Sequence, residues 1–259
     1  MTKVRNIFRW TRHPQALIGF VTLCLCVASL TSNFRSASAG SVPSPLLRAQ
    51  SSIAKILPSP PDCNARPCIA LTFDDGPSAE VTPQVLDILA RQHVNATFFV
   101  VGIHVPGKEA LLQREYRQGN EIGNHTWSHP DLSKLSPEDV ENQLQMTQHV
   151  IADAGVPAPR LLRPPYGSVN QMVAAHNNLT VVRWNVDPND WLLKDPAKID
   201  QQVMAQVRPG AIIIMHDIYP TTAAALEPLI IALKQQYQFV TASQLLNLSP
   251  GDQGQYFSR

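Results

Sequence analysis

Five short stretches concentrate acids, imidazoles and an arginine: Asp74 and Asp75 in "TFDDGPS" (72–78), His125 and His129 in "HTWSHP" (125–130), Arg163 in "RPPYG" (163–167), Asp187 and Asp190 in "DPNDW" (187–191), and His216 in "IIIMHD" (212–217). Two imidazoles four residues apart face the same way if the segment takes a helical turn. With one carboxylate they leave an open position on a divalent metal, the ligand set of hydrolytic zinc sites. The same spacing also describes an exposed helix face. The position just before Pro130, with Asp74 and Asp75 available, favours the metal.

The aspartate doublet carries its own argument. Successive residues of an extended chain point to opposite sides, so adjacent carboxylates divide the work: one binds the metal while the other takes a proton from water. One of the pair could instead cap the turn at Gly76, Pro77 and Ser78. Arg163 sits where Pro164 and Pro165 restrict the backbone and Gly167 lets it turn. A fixed guanidinium there would keep a carboxylate ionised and aimed, although such an arginine is more often part of a surface salt bridge. His216 is either a satisfied histidine at a strand end or the acid for a leaving amine, with Asp187 and Asp190 as partners that set its charge. His93, His104, His149 and His176 read as ordinary surface or helix residues.

These residues need elements to position them. Apolar runs at 69–73, 96–101, 121–124, 160–163, 180–186, 211–216 and 239–241 predict seven strands. Helical patterns alternate with them. Val85, Leu86, Ile88 and Leu89 form one apolar face after Pro83, and a second helix over 108–118 stops at Gly119. Ser136 and Pro137 start a third that ends before Gly155, and others cover 196–207 and about 223–236. Alternation of this kind gives an α/β barrel or an open doubly wound sheet. In both, the site lies at the carboxyl ends of the strands, where all five stretches fall.

Composition bounds the rest. With 44% hydrophobic and 16% charged residues, the 259-residue chain is long enough for one substantial core. The net charge of +1 is uneven: residues 1–39 hold five Lys/Arg and no acid, leaving −4 for the remainder, so no nucleic-acid-binding surface is implied. Lys3, Arg5, Arg9 and Arg12, the apolar run 16–30 and "SASAG" with Ala37 and Ala39 have the layout of a cleavable export signal. An uncleaved membrane anchor is the rival reading, and either exports the rest to the periplasm, cell envelope or exterior. Residues 40–61 carry five prolines and no acid and read as a linker to a catalytic domain over 62–250, with 251–259 as a tail. In an oxidising compartment, Cys63 and Cys68 in "DCNARPC" predict a local disulfide, with free or partly buried thiols as the alternative.

The five ordered motifs are similar to those of the polysaccharide deacetylases of the NodB-homology type, carbohydrate esterase family four, over roughly Ile69 to Leu248. The resemblance implies a distorted (β/α) barrel of seven strands in a single catalytic domain and metal-dependent removal of acetyl groups from N-acetylated sugars. It implies Asp74 as general base, Asp75, His125 and His129 as metal ligands, and Arg163 as the group that orients Asp74. It implies His216 as general acid tuned by Asp190, the backbone near Tyr166 as an oxyanion donor, and Trp191 and Ile214 around the acetyl methyl. How Asp187 and Asp190 share their motif stays open.

The expected cofactor is a divalent metal, zinc by its ligand types, with cobalt and other divalent ions as alternatives. The expected substrate is a polysaccharide, peptidoglycan before chitooligosaccharide. The chain is expected to act as a monomer, with no nucleic-acid partner and a membrane only if the N-terminal segment is uncleaved. Removal of O-acetyl groups from xylan and non-catalytic carbohydrate binding are the competing readings.

Overall fold

Eight strands carry the site: β1 (Cys68–Asp74), β2 (Thr97–Val100), β3 (Glu121–Asn124), β4 (Leu161–Leu162), β5 (Thr180–Val182), β6 (Ile212–His216), β7 (Gln238–Val240) and β8 (Gln255–Tyr256). They are seen in a computed structural model that describes residues 61–259. The expected export signal (1–39) and all but the last residue of the linker (40–61) lie outside the described residues. Around the sheet lie α1 (Thr82–Arg91), α2 (Glu109–Arg117), α3 (Pro137–Asp153), α4 (Gln171–Ala175), α5 (Asp190–Leu193), α6 (Pro196–Gln206), α7 (Pro220–Leu233) and α8 (Ala242–Leu246). Among the described residues no helix is long and apolar enough to cross a membrane.

The strands run in the order β6-β1-β2-β3-β4-β5-β8, all neighbours parallel. β6 pairs with Ala70–Asp74 of β1; on the other edge β7 takes Cys68–Ala70 and β2 takes Thr72–Asp74. The sheet then curls back on itself. Val186, beyond β5, bridges Ile213 of β6, and Ser258, beyond β8, bridges Ala211. The result is a distorted α/β barrel, the expected class.

Two differences from the expected strands have physical causes. The run 180–186 stops being a strand at Val182, because the carbonyls of Val182 and Arg183 accept hydrogen bonds from the Arg163 side chain. The chain then crosses to β6. The residues expected as a tail supply β8, whose partners are Val181 and Val182.

Alternation along each strand sorts the side chains. Outward-facing Leu71, Phe73, Phe98, Val100, Ile213 and Met215 pack under the helices in the largest apolar cluster. Inward-facing Ala70, Phe99, Leu161, Val182, Ile212 and Val240 fill the barrel, closed at one end by Ala242 and Leu245 of α8. Burying each such large side chain contributes about 1.5–3 kcal/mol. Cys63 and Cys68 are disulfide-bonded at this end, Cα to Cα 5.1 Å.

The same alternation delivers the chemistry. Inward positions on β1 end in Thr72 and Asp74, in register with Ile214 and His216 of β6. On β3, Gly123 precedes His125, and beyond β4, Arg163 follows Leu161. Polar groups therefore stand at the carboxyl end of the barrel and apolar ones at its floor.

Candidate active site

Asp74 ends β1 and is buried, while Asp75 follows in the left-handed region at φ 74°. That change of backbone gives the two carboxylates different main partners, with His125 Nε2 also 3.7 Å from Asp74 Oδ2. Asp74 Oδ1 accepts from Arg163 Nη1 at 2.7 Å, and Asp75 Oδ1 lies 3.3 Å from His129 Nε2 and 3.5 Å from His125 Nε2. Five of the eight positive-φ non-glycine residues among the described residues belong to the site's loops: Asp75, Thr126, His129, Tyr166 and Asn189. Unusual backbone is thus concentrated where side chains must be aimed.

The histidine pair converges, but not through a helical turn. The loop 125–129 bends at Thr126 (φ 68°) and His129 (φ 59°). Asn124 Oδ1 accepts from Thr126 N–H, Gln143 Oε1 of α3 accepts from the N–H groups of Trp127 and Ser128, and Thr126 Oγ1 accepts from His129 N–H. Side-chain acceptors replace the helical hydrogen bonds, so the two rings meet with centroids 4.9 Å apart.

The donor set fits a divalent ion. Asp75, His125 and His129 each offer one ligand atom within 4.8 Å of the others. His125 Nδ1 donates to the Arg163 carbonyl at 2.5 Å, which fixes the proton there and turns the Nε2 lone pair toward Asp75. Asp75 Oδ1 is buried with no hydrogen-bond partner. Ligands at 2.0–2.1 Å in a tetrahedron are about 3.3 Å apart, close to the two Asp75–histidine distances above. Burial raises the Asp75 pKa, but the nearby imidazoles of His125, His216 and His129 outweigh it and hold the carboxyl at about 2. Burial and the neighbouring His125 lower the pKa of His129 and favour its neutral form.

Arg163 is fully buried. Nη1 also reaches Thr72 Oγ1 at 2.7 Å, Nε donates to the Val182 carbonyl, and Nη2 donates to that of Arg183. Its guanidinium lies 4.1 Å from the centroid of Phe99. That ring fits only because Gly123 faces it: a Cβ there would meet Phe99 at 2.4 Å.

His216 is held by Asp190. Asp190 Oδ1 accepts from Nδ1 at 2.7 Å, and Oδ2 accepts from the His216 N–H at 2.8 Å and from Thr222 Oγ1 at 2.6 Å. Burial opposes the imidazolium, but this hydrogen bond and the charges of Asp190, Asp74 and Asp75 prevail and push His216 up to about 9. Asp187 has a separate job: its Oδ1 accepts from the Asn189 N–H and shapes the turn into α5. Ile214 is buried in register with Thr72, whereas Trp191 is 48% exposed. Tyr166, 69% exposed, sets its ring edge-on to His129 at 4.9 Å. Pro164 and Pro165 lack N–H groups, so Tyr166 is the first backbone donor after Arg163.

Four contributors join the site beyond the acids, imidazoles and arginine of the five motifs: Thr72 and Phe99 against Arg163, Thr222 against Asp190, and His104, whose Nδ1 donates to the Asp75 carbonyl at 2.8 Å. His104 is therefore no ordinary surface histidine. Only its position just past a strand's carboxyl end hinted at this.

Residues 62–182 match the family model for polysaccharide deacetylase. A chitooligosaccharide deacetylase of Bradyrhizobium is 42% identical over 163 residues, 61% of this chain and 74% of that protein. The chain belongs to the polysaccharide deacetylase family. Another relative, the peptidoglycan-N-acetylglucosamine deacetylase PgdA of Listeria monocytogenes, is 43% identical over 204 residues, 78% of this chain. The aligned part is 44% of that relative, so the chain spans less than half its length. The solved peptidoglycan deacetylase PdaC of Bacillus subtilis superimposes with a TM-score of 0.70 at 42% identity, covering 72% of this chain and 93% of that one. All five motifs fall within the structure of this family member, gathered at one end of its barrel.

Proposed function

We propose that the protein hydrolyses N-acetyl groups on N-acetylglucosamine-type residues of a cell-wall or chitin-like polysaccharide, peptidoglycan before chitooligosaccharide, releasing acetate. The observation that carries this reading is the separation of the doublet. Asp74 is paired with a buried guanidinium, while Asp75 offers an unpartnered oxygen beside two imidazoles.

Asp75, His125 and His129 would hold a divalent ion, zinc by its ligand types, which supplies a Lewis acid for the acetyl carbonyl and for water. Asp74 takes the proton of the attacking water, and Arg163 keeps its carboxylate ionised and fixed. The Tyr166 N–H donates to the carbonyl oxygen as charge develops there. Ile214 and Trp191 enclose the acetyl methyl. His216, charged at neutral pH with Nδ1 on Asp190, gives its Nε2 proton to the departing sugar amine as the carbon–nitrogen bond breaks. Water and amide become acetate and amine.

The basic and apolar layout of residues 1–39 supports export, and the Cys63–Cys68 bond is in keeping with an oxidising compartment. The test is acetate release by the purified protein from peptidoglycan, from chitooligosaccharides and from acetylated xylan, with and without chelator. Release from the first two that stops on chelation and returns with Zn2+ is expected. Release from xylan alone would make the protein an O-acetyl esterase, and binding without release a carbohydrate-binding relative.

A further inference from the structure

Asp75 comes from the β1–α1 loop and His125 and His129 from the β3–α3 loop, so the ion site depends on the distance between two loops. Neither loop makes the other's ligand spacing by itself. The turn after β2 bonds to both. After β2 the chain forms a short 3-10 turn over Gly102–His104. Just before it, the Val101 N–H donates to the Gly76 carbonyl at 3.0 Å, and within it the His104 ring donates to the Asp75 carbonyl at 2.8 Å. The N–H groups of Gly102 and Ile103 donate at 2.9 Å to the Thr126 and Trp127 carbonyls of the other loop. Gly102 allows this close approach, since a Cβ there would meet Trp127 at 2.6 Å and Thr147 at 2.8 Å.

Three of the four ties are backbone bonds. The fourth is specific to His104. A carbonyl only accepts, so Nδ1 carries the proton. The ring is half-buried, and the His104 carbonyl in turn accepts from Lys108 Nζ at 2.7 Å. The bond ends on Asp75 itself, whose left-handed backbone is the bend that turns its carboxylate to the histidines.

Building on the metal-dependent reading above, we propose that the 101–104 turn is a clamp that sets the spacing of the ion site, and that His104 is its positioning residue. His104 lies outside the Asp75, His125 and His129 ligand set. It acts by holding the Asp75 peptide, and loss of its donor frees Asp75 to leave the geometry that matches the two imidazoles.

The test is metal affinity, read apart from turnover. Zn2+ is titrated calorimetrically into the metal-stripped full chain, and Co2+ is followed by its visible absorption, in wild type, His104→Leu, His104→Ala and His104→Asn. Leucine keeps bulk without a donor, alanine serves should leucine not fold, and the asparagine Nδ2 takes the place of Nδ1. The donorless variants should bind Zn2+ on the order of 10–100-fold more weakly and shift the Co2+ bands, whereas asparagine should recover most of the affinity. Wild-type affinity in the donorless variants, or asparagine binding as poorly as leucine, overturns the clamp while leaving the deacetylase reading intact. A wild-type chain that takes up neither ion overturns both.

Discussion

Asp74 and Asp75 are adjacent in sequence yet held by different partners: Arg163 Nη1 lies 2.7 Å from Asp74 Oδ1, and His129 Nε2 lies 3.3 Å from Asp75 Oδ1. The two acids should therefore fail differently. Asp74→Asn should lower kcat by about 10²–10⁴-fold, the usual worth of a positioned general base, with Zn2+ affinity retained. Asp75→Asn should lose the ion. Calorimetric titration beside acetate release separates them, and the reverse pattern would exchange the two assignments.

Arg163 and Asp74 form a buried ion pair in which the arginine makes four donor contacts. Removing one member leaves the other charge unpaired in the interior. Arg163→Leu should cost about 3–5 kcal/mol of stability, measured by urea unfolding. Arg163→Lys should rescue little, since an ammonium lacks the planar fork that reaches Thr72, Asp74 and two carbonyls together. A lysine variant with wild-type stability would contradict this account.

The pH profile of kcat/KM should carry the signature of His216. Its pKa is raised from 6.5 to about 9, so the imidazolium is kept through neutral pH and activity falls as pH rises through about 9. Asp190 is the main group holding it up, and burial acts the other way. Asp190→Asn should therefore move the basic limb to lower pH and lower the plateau. A limb that stays in place would remove His216 or Asp190 from the proton transfer.

Much of this site was legible because strand alternation is local. The inward parity of β1 and β6 that puts Thr72, Asp74, Ile214 and His216 on one face follows from their spacing alone. What was not legible depends on contacts between distant segments. His104 meets Asp75 across 29 positions and Thr222 meets Asp190 across 32, and neither residue type advertises such a bond. Asp217, at the end of "IIIMHD", bonds to Thr82 and is pushed up to about 7 by burial, a support beneath Gly76 that no spacing rule predicts. The spacing of the histidine pair suggests a helical turn, whereas left-handed bends at Thr126 and His129 bring the rings together.

The strand β8, a two-residue Gln255–Tyr256 pair, is too short to carry an alternation that the sequence could show. Its contacts nevertheless finish the barrel. The Gly254 carbonyl accepts from the Val181 N–H and the Tyr256 carbonyl from the Arg183 N–H, while the Arg259 N–H donates to the Gly210 carbonyl. Phe257 lies under the Arg183 guanidinium at 4.4 Å. Each backbone bond is worth about 0.5–1.5 kcal/mol net. Arg183 also presents one of the carbonyls that fix Arg163, so the segment reaches the site through β5. Deleting residues 254–259 should lower stability by about 2–4 kcal/mol and reduce kcat more than it raises KM, since Arg163 and Asp74 are loosened while the substrate-facing residues stay. Urea unfolding and steady-state kinetics of the truncated chain check this. Unchanged stability would make β8 a dispensable edge.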